Sequence, residues 1–509
     1  MHVKSVVMPN KYSDSMSLMA LSTKVNDLAM VASAMIGMGT DLNKQVIQEV
    51  GLSTPEIEAA TPRDQIIVVQ CETEADCDVA IEQVEVLRSQ GVATPAETSY
   101  RTSRQAYEQE SNTSLAIISV PGRYAADEAR TALAAGRHVL VFSDNVSIED
   151  ELDIKRQAHD AGLLVMGPDC GTAIINGTGL CFANAVSGGP IGVAAASGTG
   201  SQELSVRVDA LGSGISQLVG VGGRDLSEAI GGIMMLDAMR MLDDDPQTSV
   251  IVLLSKPPAA VVAERVLAAA GELSKPVVVC FIGAAAPMGA PANVTFASTS
   301  RDAALAAVSL ATGSPSAAVV PSYDLDTAKI RAGWQDGQTD IRGLFCGGTV
   351  CDEVFHVVKN QFPDRTRSNV AKQPAFQLET GKEPVGHVLI DLGADEYTQG
   401  RPHPMIDPTI RNSEIVKAAR DAATAVILLD VELGFGSHPD PAGAVVPAIS
   451  EARKIAADAG RPLEIVAYVL GTDRDVQNKS AQVAKLTDLG VRVVDDVIEL
   501  ATLSLELTR

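Results

Sequence analysis

The chain has 509 residues, with 40 Lys or Arg against 64 Asp or Glu and a formal net charge of −24 at pH 7. At roughly 100–200 residues per domain, that length excludes a single small module and implies about three or four domains. The acidic balance leaves no excess cationic surface to displace counterions from a nucleic acid or to hold an anionic bilayer, so neither is expected as a partner. A small anionic substrate stays open, because a helix N-terminus or a few basic side chains in one cleft create a local positive field. The first residues, Met1-His2-Val3-Lys4-Ser5, lack a basic segment ahead of an apolar core, and no run of about 18 apolar residues occurs, so a cytoplasmic protein is expected. Seven cysteines, at 71, 77, 170, 181, 280, 346 and 351, are sparse and odd in number. They suit reduced thiols, their spacing matches no common zinc knuckle, and no metal site is expected.

In chain order, residues 1–92 alternate strand and helix: strand 3–8, a helix beginning near Met16, strand 31–38, strand 65–69 and an acidic helix. That order predicts a small α+β, ferredoxin-like domain. Residues 93–113 are polar and rich in Ser and Thr, as a linker would be. From 114 to 187, strands at 115–120, 138–142 and 163–166 alternate with Ala-rich helices, which implies parallel strands buried on both faces. A second α/β unit, 188–312, has strands at 191–194, 215–219, 249–254 and 277–282, and 313–340 forms a Ser- and Pro-rich connection. The last unit, 341–509, has strands at 388–391, 425–430, 465–469 and 491–494. The fold class expected is therefore α/β: tandem Rossmann-like and flavodoxin-like parallel sheets behind a small α+β sandwich.

Ligands of open parallel sheets bind beyond the carboxyl ends of the strands. One such turn reads Val193-Ala-Ala-Ala-Ser197-Gly198-Thr199-Gly200-Ser201, and a second reads Leu429-Asp430-Val-Glu-Leu-Gly434-Phe-Gly436-Ser437-His438. Glycines let backbone N–H groups approach an anion while the following helix points its positive end at it. Ser197, Gly198, Thr199, Gly200 and Ser201, together with Gly434, Gly436 and Ser437, are thus the expected phosphate-binding residues. A substrate carboxylate or ureido acid would be met by Asp169 and Cys170 in Gly167-Pro-Asp-Cys-Gly171, by Gly222, Gly223 and Arg224, by Arg401, and by Thr472. His438, His403 and Asp430 are the candidate catalytic groups, the histidines because they exchange protons near neutral pH. Cys346-Gly-Gly-Thr-Val-Cys351 reads as a strand end, a glycine turn and a helix start, equally suited to packing or to a third anion loop.

With those motifs in hand, residues 114–310 and 341–505 resemble, in tandem, the α-subunit and carboxyl-terminal β-subunit ligase modules of succinyl-CoA synthetase. The matching stretches are Met166-Gly-Pro-Asp-Cys170, Ala196-Ser-Gly-Thr199 with Glu203, Gly220-Val-Gly-Gly223, Ile390-Asp-Leu-Gly393, Gly434-Phe-Gly436 and Leu470-Gly-Thr-Asp473. The resemblance makes 114–187 a truncated CoA-binding-like domain and implies that the helices after the Ser197 and Gly434 turns face a phosphoryl group. The family's phosphorylated histidine has no counterpart in Gly283-Ala-Ala-Ala-Pro-Met-Gly-Ala-Pro, and the carboxylate that orients it is replaced by Ser255-Lys256-Pro257-Pro258. The glycine cradle for CoA phosphate is not seen, so CoA remains only a possible ligand, and the nucleotide-grasp domain is missing.

Over its whole length the chain is more similar to the FdrA family, through Pro9-Asn10-Lys-Tyr12-Ser-Asp14-Ser15, Cys346-Gly-Gly-Thr349, Arg401-Pro-His-Pro-Met-Ile-Asp-Pro408 and His438-Pro-Asp-Pro441. That resemblance implies a subunit of oxamate carbamoyltransferase in purine and allantoin catabolism, converting oxalurate and phosphate to oxamate and carbamoyl phosphate. It also implies partner subunits in a homo- or hetero-oligomer, phosphate as co-substrate and a downstream carbamate kinase. Two alternatives belong to other classes: an acyl-CoA synthetase completed by partner subunits, with His438 as its own phosphocarrier, and a non-catalytic scaffold or regulator.

Overall fold

Four consecutive β-branched residues, Ile66 to Val69, form the middle of a small sheet in the computed structural model. The structure describes every residue except 12–14, 27, 29, 90–99, 285–288, 316–324, 379–384, 399–401 and 509. It divides into two units, Met1–Tyr100 and Arg101–Arg509. In the first, β1 (His2–Met8), β2 (Val31–Met38) and β3 (Gln65–Cys71) pair antiparallel in the order β1-β3-β2. Side chains alternate across a strand. Ile67 and Val69 therefore meet Leu18, Leu21 and Val84 of helices Ser15–Asn26 and Glu74–Ser89. Ile66 and Val68 meet Ile47 and Ile57 of helices Asp41–Glu49 and Pro55–Ala59. Helices cover both faces, giving three layers rather than the two of a ferredoxin-like sandwich.

The second unit contains three sheets. β4 (Leu115–Ile118), β5 (His138–Val141) and β6 (Val165–Met166) are parallel neighbours. A seven-stranded sheet follows, made of β7 (Thr172–Ile175), β8 (Thr178–Cys181), β9 (Gly188–Ala195), β10 (Ile215–Gly220), β11 (Val250–Ser255), β12 (Val277–Phe281) and β13 (Val294–Ala297). Its order is β13-β12-β11-β9-β10-β7-β8. The third sheet, of β14 (Asp340–Phe345), β15 (Thr366–Ser368), β16 (His387–Asp391), β17 (Thr424–Glu432), β18 (Glu464–Leu470) and β19 (Arg492–Val494), is parallel throughout in the order β15-β16-β14-β17-β18-β19. All nine residues of β17 are buried, as expected for a parallel strand covered on both faces.

Two local readings change. Residues 103–109 lie in the stretch read as linker but form the helix Ser103–Gln109, started by the Thr102 hydroxyl accepting from Gln105 N. The β7–β8 hairpin, read with the preceding unit, joins the seven-stranded sheet through Ile174 and Leu218. More important for function is where the sheets reverse. From β9 the chain passes to β10 on one side and then to β11 on the other; from β14 it goes to β15 and β16 on one side and returns to β17 on the opposite side. The turns after β9 and β14 therefore stand at switch points, where open α/β sheets form their ligand crevices.

Candidate functional site

Those two turns face each other. Ser197, extended after β9, caps the helix Gly198–Ala210, its Oγ accepting from Gly200 N at 3.0 Å. Gly347, after β14, opens the helix Gly348–Gln361 without a side-chain cap. Ser197 Oγ and Thr349 Oγ1 share a hydrogen bond, and Thr349 N donates to Thr199 Oγ1 at 3.3 Å. Glycine at both positions eases this approach: a Cβ on Gly200 would lie 3.1 Å from Thr349 Cγ2, and one on Gly347 3.0 Å from Thr199 Cγ2, so the neighbouring side chain would have to give way. First-turn N–H groups lack intrahelical acceptors and carry the positive end of the helix dipole. The seam between the Gly198 helix and the Gly348 helix therefore offers two converging sets of donors to an anion.

Carboxyl groups from neighbouring strands brace the seam. Asp430 and Glu432, two residues apart on β17, project to the same side. Asp430 accepts from Cys346 N and Gly347 N, each at 2.8 Å, and from Arg411 Nη1 at 3.2 Å, so it fixes the turn that starts the Gly348 helix. Glu432 is 3% exposed and lies against Gly347, and its two carboxyl oxygens have no hydrogen-bond partner among the described residues. Burial, and then the charge of Asp430, push its carboxyl well above the usual range. Asp391, at the end of β16, lies beside Gly348 and accepts from Gly393 N at 2.9 Å. Burial pushes it up to about 6 although Lys256 pulls the other way. Lys256 Nζ, following β11, would be 3.4 Å from a Cβ on Gly348.

The residues expected from the sequence divide into three groups. Ser197, Gly198, Thr199 and Gly200 lie at the seam, whereas Ser201 is buried and donates through its hydroxyl to Ser197 O. Asp169, Cys170, Gly222 and Gly223 share a small glycine-walled hollow with Ser197 and Gly198. Asp169 lines this hollow and is exposed to solvent. Desolvation by the surrounding walls, followed by Asp144 and Asp395, pushes its carboxyl up to about 7. Cys170 is buried and its thiol is pushed far up, which removes it as a nucleophile.

The second group is spent on structure. Arg224 pairs with Glu151 at 2.8 Å and donates to Val146 O at 2.8 Å, in a network with buried Lys155 and Asp225. Thr472 Oγ1 donates to Ala185 O at 2.8 Å, and Asp430 serves as the buried anchor described above. The expected pairing of the Ser197 turn with the Gly434 turn is replaced by pairing with Gly347–Thr349. At the Gly434 turn the amides face inward: Gly434 N donates to Gln477 Oε1, Phe435 N to Ala183 O and Ser437 N to Gly434 O. The helix that follows, Pro441–Asp458, is closed by Asp440 accepting from Gly443 N and by Gln482 accepting from Ala442 N. Gly434 and Gly436 therefore pack against Phe182, while the Ser437 hydroxyl is buried without a partner among the described residues.

The third group surrounds the Cys346 turn, where Phe182, Cys346 and Met405 make a small apolar cluster. His403 lies against Gly393 and the Cys346 carbonyl. Its Nδ1 accepts from Met405 N at 3.2 Å, and burial pushes the ring down to about 4. His438 Nδ1 accepts from Asp440 N at 3.0 Å, and its amide donates to Met405 O. Arg401 lies outside the described residues. Sequence reasoning offered the Gly347, Gly348 and Thr349 turn as a third anion loop or a packing turn, without pairing it with Ser197, and missed Lys256, Asp391 and Glu432 around it. A glycine pair directly after a strand was the available signal for the turn; the others meet it only through the fold.

Comparison with known proteins agrees with this architecture. Residues 344–505 match the CoA-ligase family, residues 188–283 the CoA binding domain family, and residues 1–103 the family described as AllF, heavy metal-associated domain. The CoA-binding match thus falls on the β9-to-β12 region rather than on 114–187. YahF of Escherichia coli (strain K12) is 47% identical over 498 residues, covering 96% of each chain. The succinate–CoA ligase [ADP-forming] subunit alpha 1 of Archaeoglobus fulgidus is 29% identical over 184 residues, covering 35% of this chain and 62% of that subunit. A dinucleotide-forming acetyl-coenzyme A synthetase 1 of Ca. Korarchaeum cryptofilum aligns at 17% identity and TM-score 0.29, over 77% of this chain and 82% of that one.

Proposed function

We propose that this chain, which belongs to the same family as E. coli YahF and has a succinyl-CoA-ligase-like fold, is one subunit of an enzyme that forms or consumes an acyl phosphate in the seam. The observation that carries this reading is the hydrogen-bonded meeting of the Gly198 and Gly348 helix starts. Phosphate oxygens accept from the first-turn amides of both helices, which are fixed before the ligand arrives and stabilise charge without reorganisation. His403, neutral and with Nδ1 occupied, presents Nε2–H and acts as a hydrogen-bond donor rather than a proton carrier.

The acyl group assigned is carbamoyl. Residues 283–291 contain no histidine, so phosphate enters as a free co-substrate rather than from a phosphohistidine. The FdrA resemblance makes oxalurate the first substrate to test, with oxamate and carbamoyl phosphate as products, other subunits completing the enzyme and a carbamate kinase using the carbamoyl phosphate. A second reading, an acyl-CoA ligase completed by partners, is favoured by the CoA-ligase and CoA-binding matches. The helix start at Gly122 does not fit CoA phosphate: a Cβ there would meet the backbone of Asp144 and Asn145, which fills the cradle. In that reading CoA is held elsewhere.

The two readings separate when the chain is co-expressed with the products of adjoining genes. Oxalurate plus phosphate should yield carbamoyl phosphate. Acyl-CoA formed from an acid, CoA and a nucleoside triphosphate, with no carbamoyl phosphate from oxalurate, would instead establish the ligase.

A further inference from the structure

The seam contains a positive charge where helix electrostatics disfavour one. Lys256 sits in Ser255-Lys256-Pro257-Pro258, a segment stiffened by two prolines and tied down by Lys372 Nζ, which donates to Pro257 O at 2.9 Å. The Lys256 ammonium lies at Gly348, the first residue of its helix, where the dipole repels a cation. Asp391 and Asp352 both feel its charge, yet among the described residues Lys256 makes no ion pair. From the other side of the same turn, Glu432 presents a carboxyl that is 3% exposed and has no partner, packed against Gly347 near Thr199.

Cys346, Asp430 and Glu432 bring a thiol and two carboxyls within 4.8 Å, but a metal ion is a poor fit. Asp430 already accepts from three donors, one of them a guanidinium. The Lys256 ammonium, the buried Glu432 carboxyl and the remaining first-turn amides of the Gly198 and Gly348 helices gather at the seam, where Asp391 and Asp352 are the carboxyls whose charge Lys256 offsets.

We propose that Lys256 is the specificity-determining cation that holds inorganic phosphate, or the phosphate end of an acyl phosphate, between the two helix starts. The proposal rests on the seam being the phosphate site. It adds that affinity depends on a charge supplied from β11, opposite the Glu432 carboxyl.

The test is calorimetric titration of the full-length chain with inorganic phosphate. Wild type should bind saturably, and Lys256→Met should weaken binding by about tenfold or more, the scale of one charge-assisted contact. Lys256→Arg should retain most of the affinity, and Lys454→Met, at an exposed position of the helix Pro441–Asp458, should bind like wild type. Lys256→Gln replaces the Met variant if the latter does not fold, judged by its thermal melt. Saturable wild-type binding with unchanged affinity in the Lys256 variants would overturn the role of Lys256 and leave the seam as the phosphate site. No saturable binding by wild type would overturn both.

Discussion

Asp430 and Glu432 are two residues apart on one strand, yet their surroundings give them opposite tasks. Asp430 is matched by Arg411 and two backbone amides, so it pins the Cys346–Gly347 turn. Glu432 has none of these partners, and burial pushes its carboxyl well above the usual range. Asp430→Ala leaves Arg411, 2% exposed, as an uncompensated buried charge, and the expected loss of stability is about 3–5 kcal/mol. Glu432→Gln keeps the shape of the side chain and breaks no hydrogen bond, and should cost about 1 kcal/mol or less. Denaturant unfolding of the two variants checks the contrast, and equal losses would mean that Glu432 is ionised. Asp391 offers a pH test: its carboxyl, pushed up to about 6, is largely charged at pH 7 and shares the Gly348 helix start with the proposed anion. Sulfate, which does not titrate in this range, should therefore bind more tightly at pH 5.5 than at pH 7.5, with Lys256, Asp430 and Glu396 as the other charges acting on Asp391. Ser197 was legible because it stands between a strand and a glycine-rich helix start. Lys256 and Glu432 were not, because their closeness to Gly347 and Gly348 is created by strands 85 and more residues away in the chain.

At the scale of elements, the Gly347 and Gly434 turns share one local text: buried strand, glycine turn, helix. What separates them is the neighbour each turn meets. Gly347 meets Thr199, whereas the Gly434 turn lies under Phe182 and gives its amides to the chain. Gly347→Ala would drive a methyl against Thr199 and Glu432 and should abolish phosphate binding in the titration, while Phe435→Ser, on an exposed ring over Gly179, should leave it intact. Loss of binding in the Phe435 variant would return the Gly434 turn to the anion site. The parallel strands of the core were legible as Val-, Ile- and Leu-rich runs. The β7–β8 hairpin was missed although Asn176-Gly177, both with positive φ (49° and 77°), is a two-residue hairpin turn. Its flanks, Thr172–Ile175 and Thr178–Cys181, are short and of mixed polarity, so they carry little periodic signal.

For the whole molecule, two carboxyls are pushed up into the neutral range or above it. Asp169 is pushed up to about 7 and Glu353 to about 8, in both cases mainly by burial. Above about pH 6.5, where ordinary carboxyls and histidines are already deprotonated, the folded chain binds more protons than the unfolded one. Stability should therefore fall as pH rises from 6.5 to 8.5, seen as a declining melting temperature; a flat or rising profile would contradict these protonation states. Among the described residues no helix is long and apolar enough to cross a membrane. The two halves of the seam also come from one polypeptide, locked together by Asn184 donating to Leu433 O and Asp475 and by Tyr468 bonded to Glu203. They are consequently made in equal numbers, dilution cannot part them, and neither half can be exchanged for that of another molecule. A lesion at Gly347 therefore cannot be rescued in trans by a chain whose own lesion is at Ser197, so the two alleles should fail to complement when co-expressed.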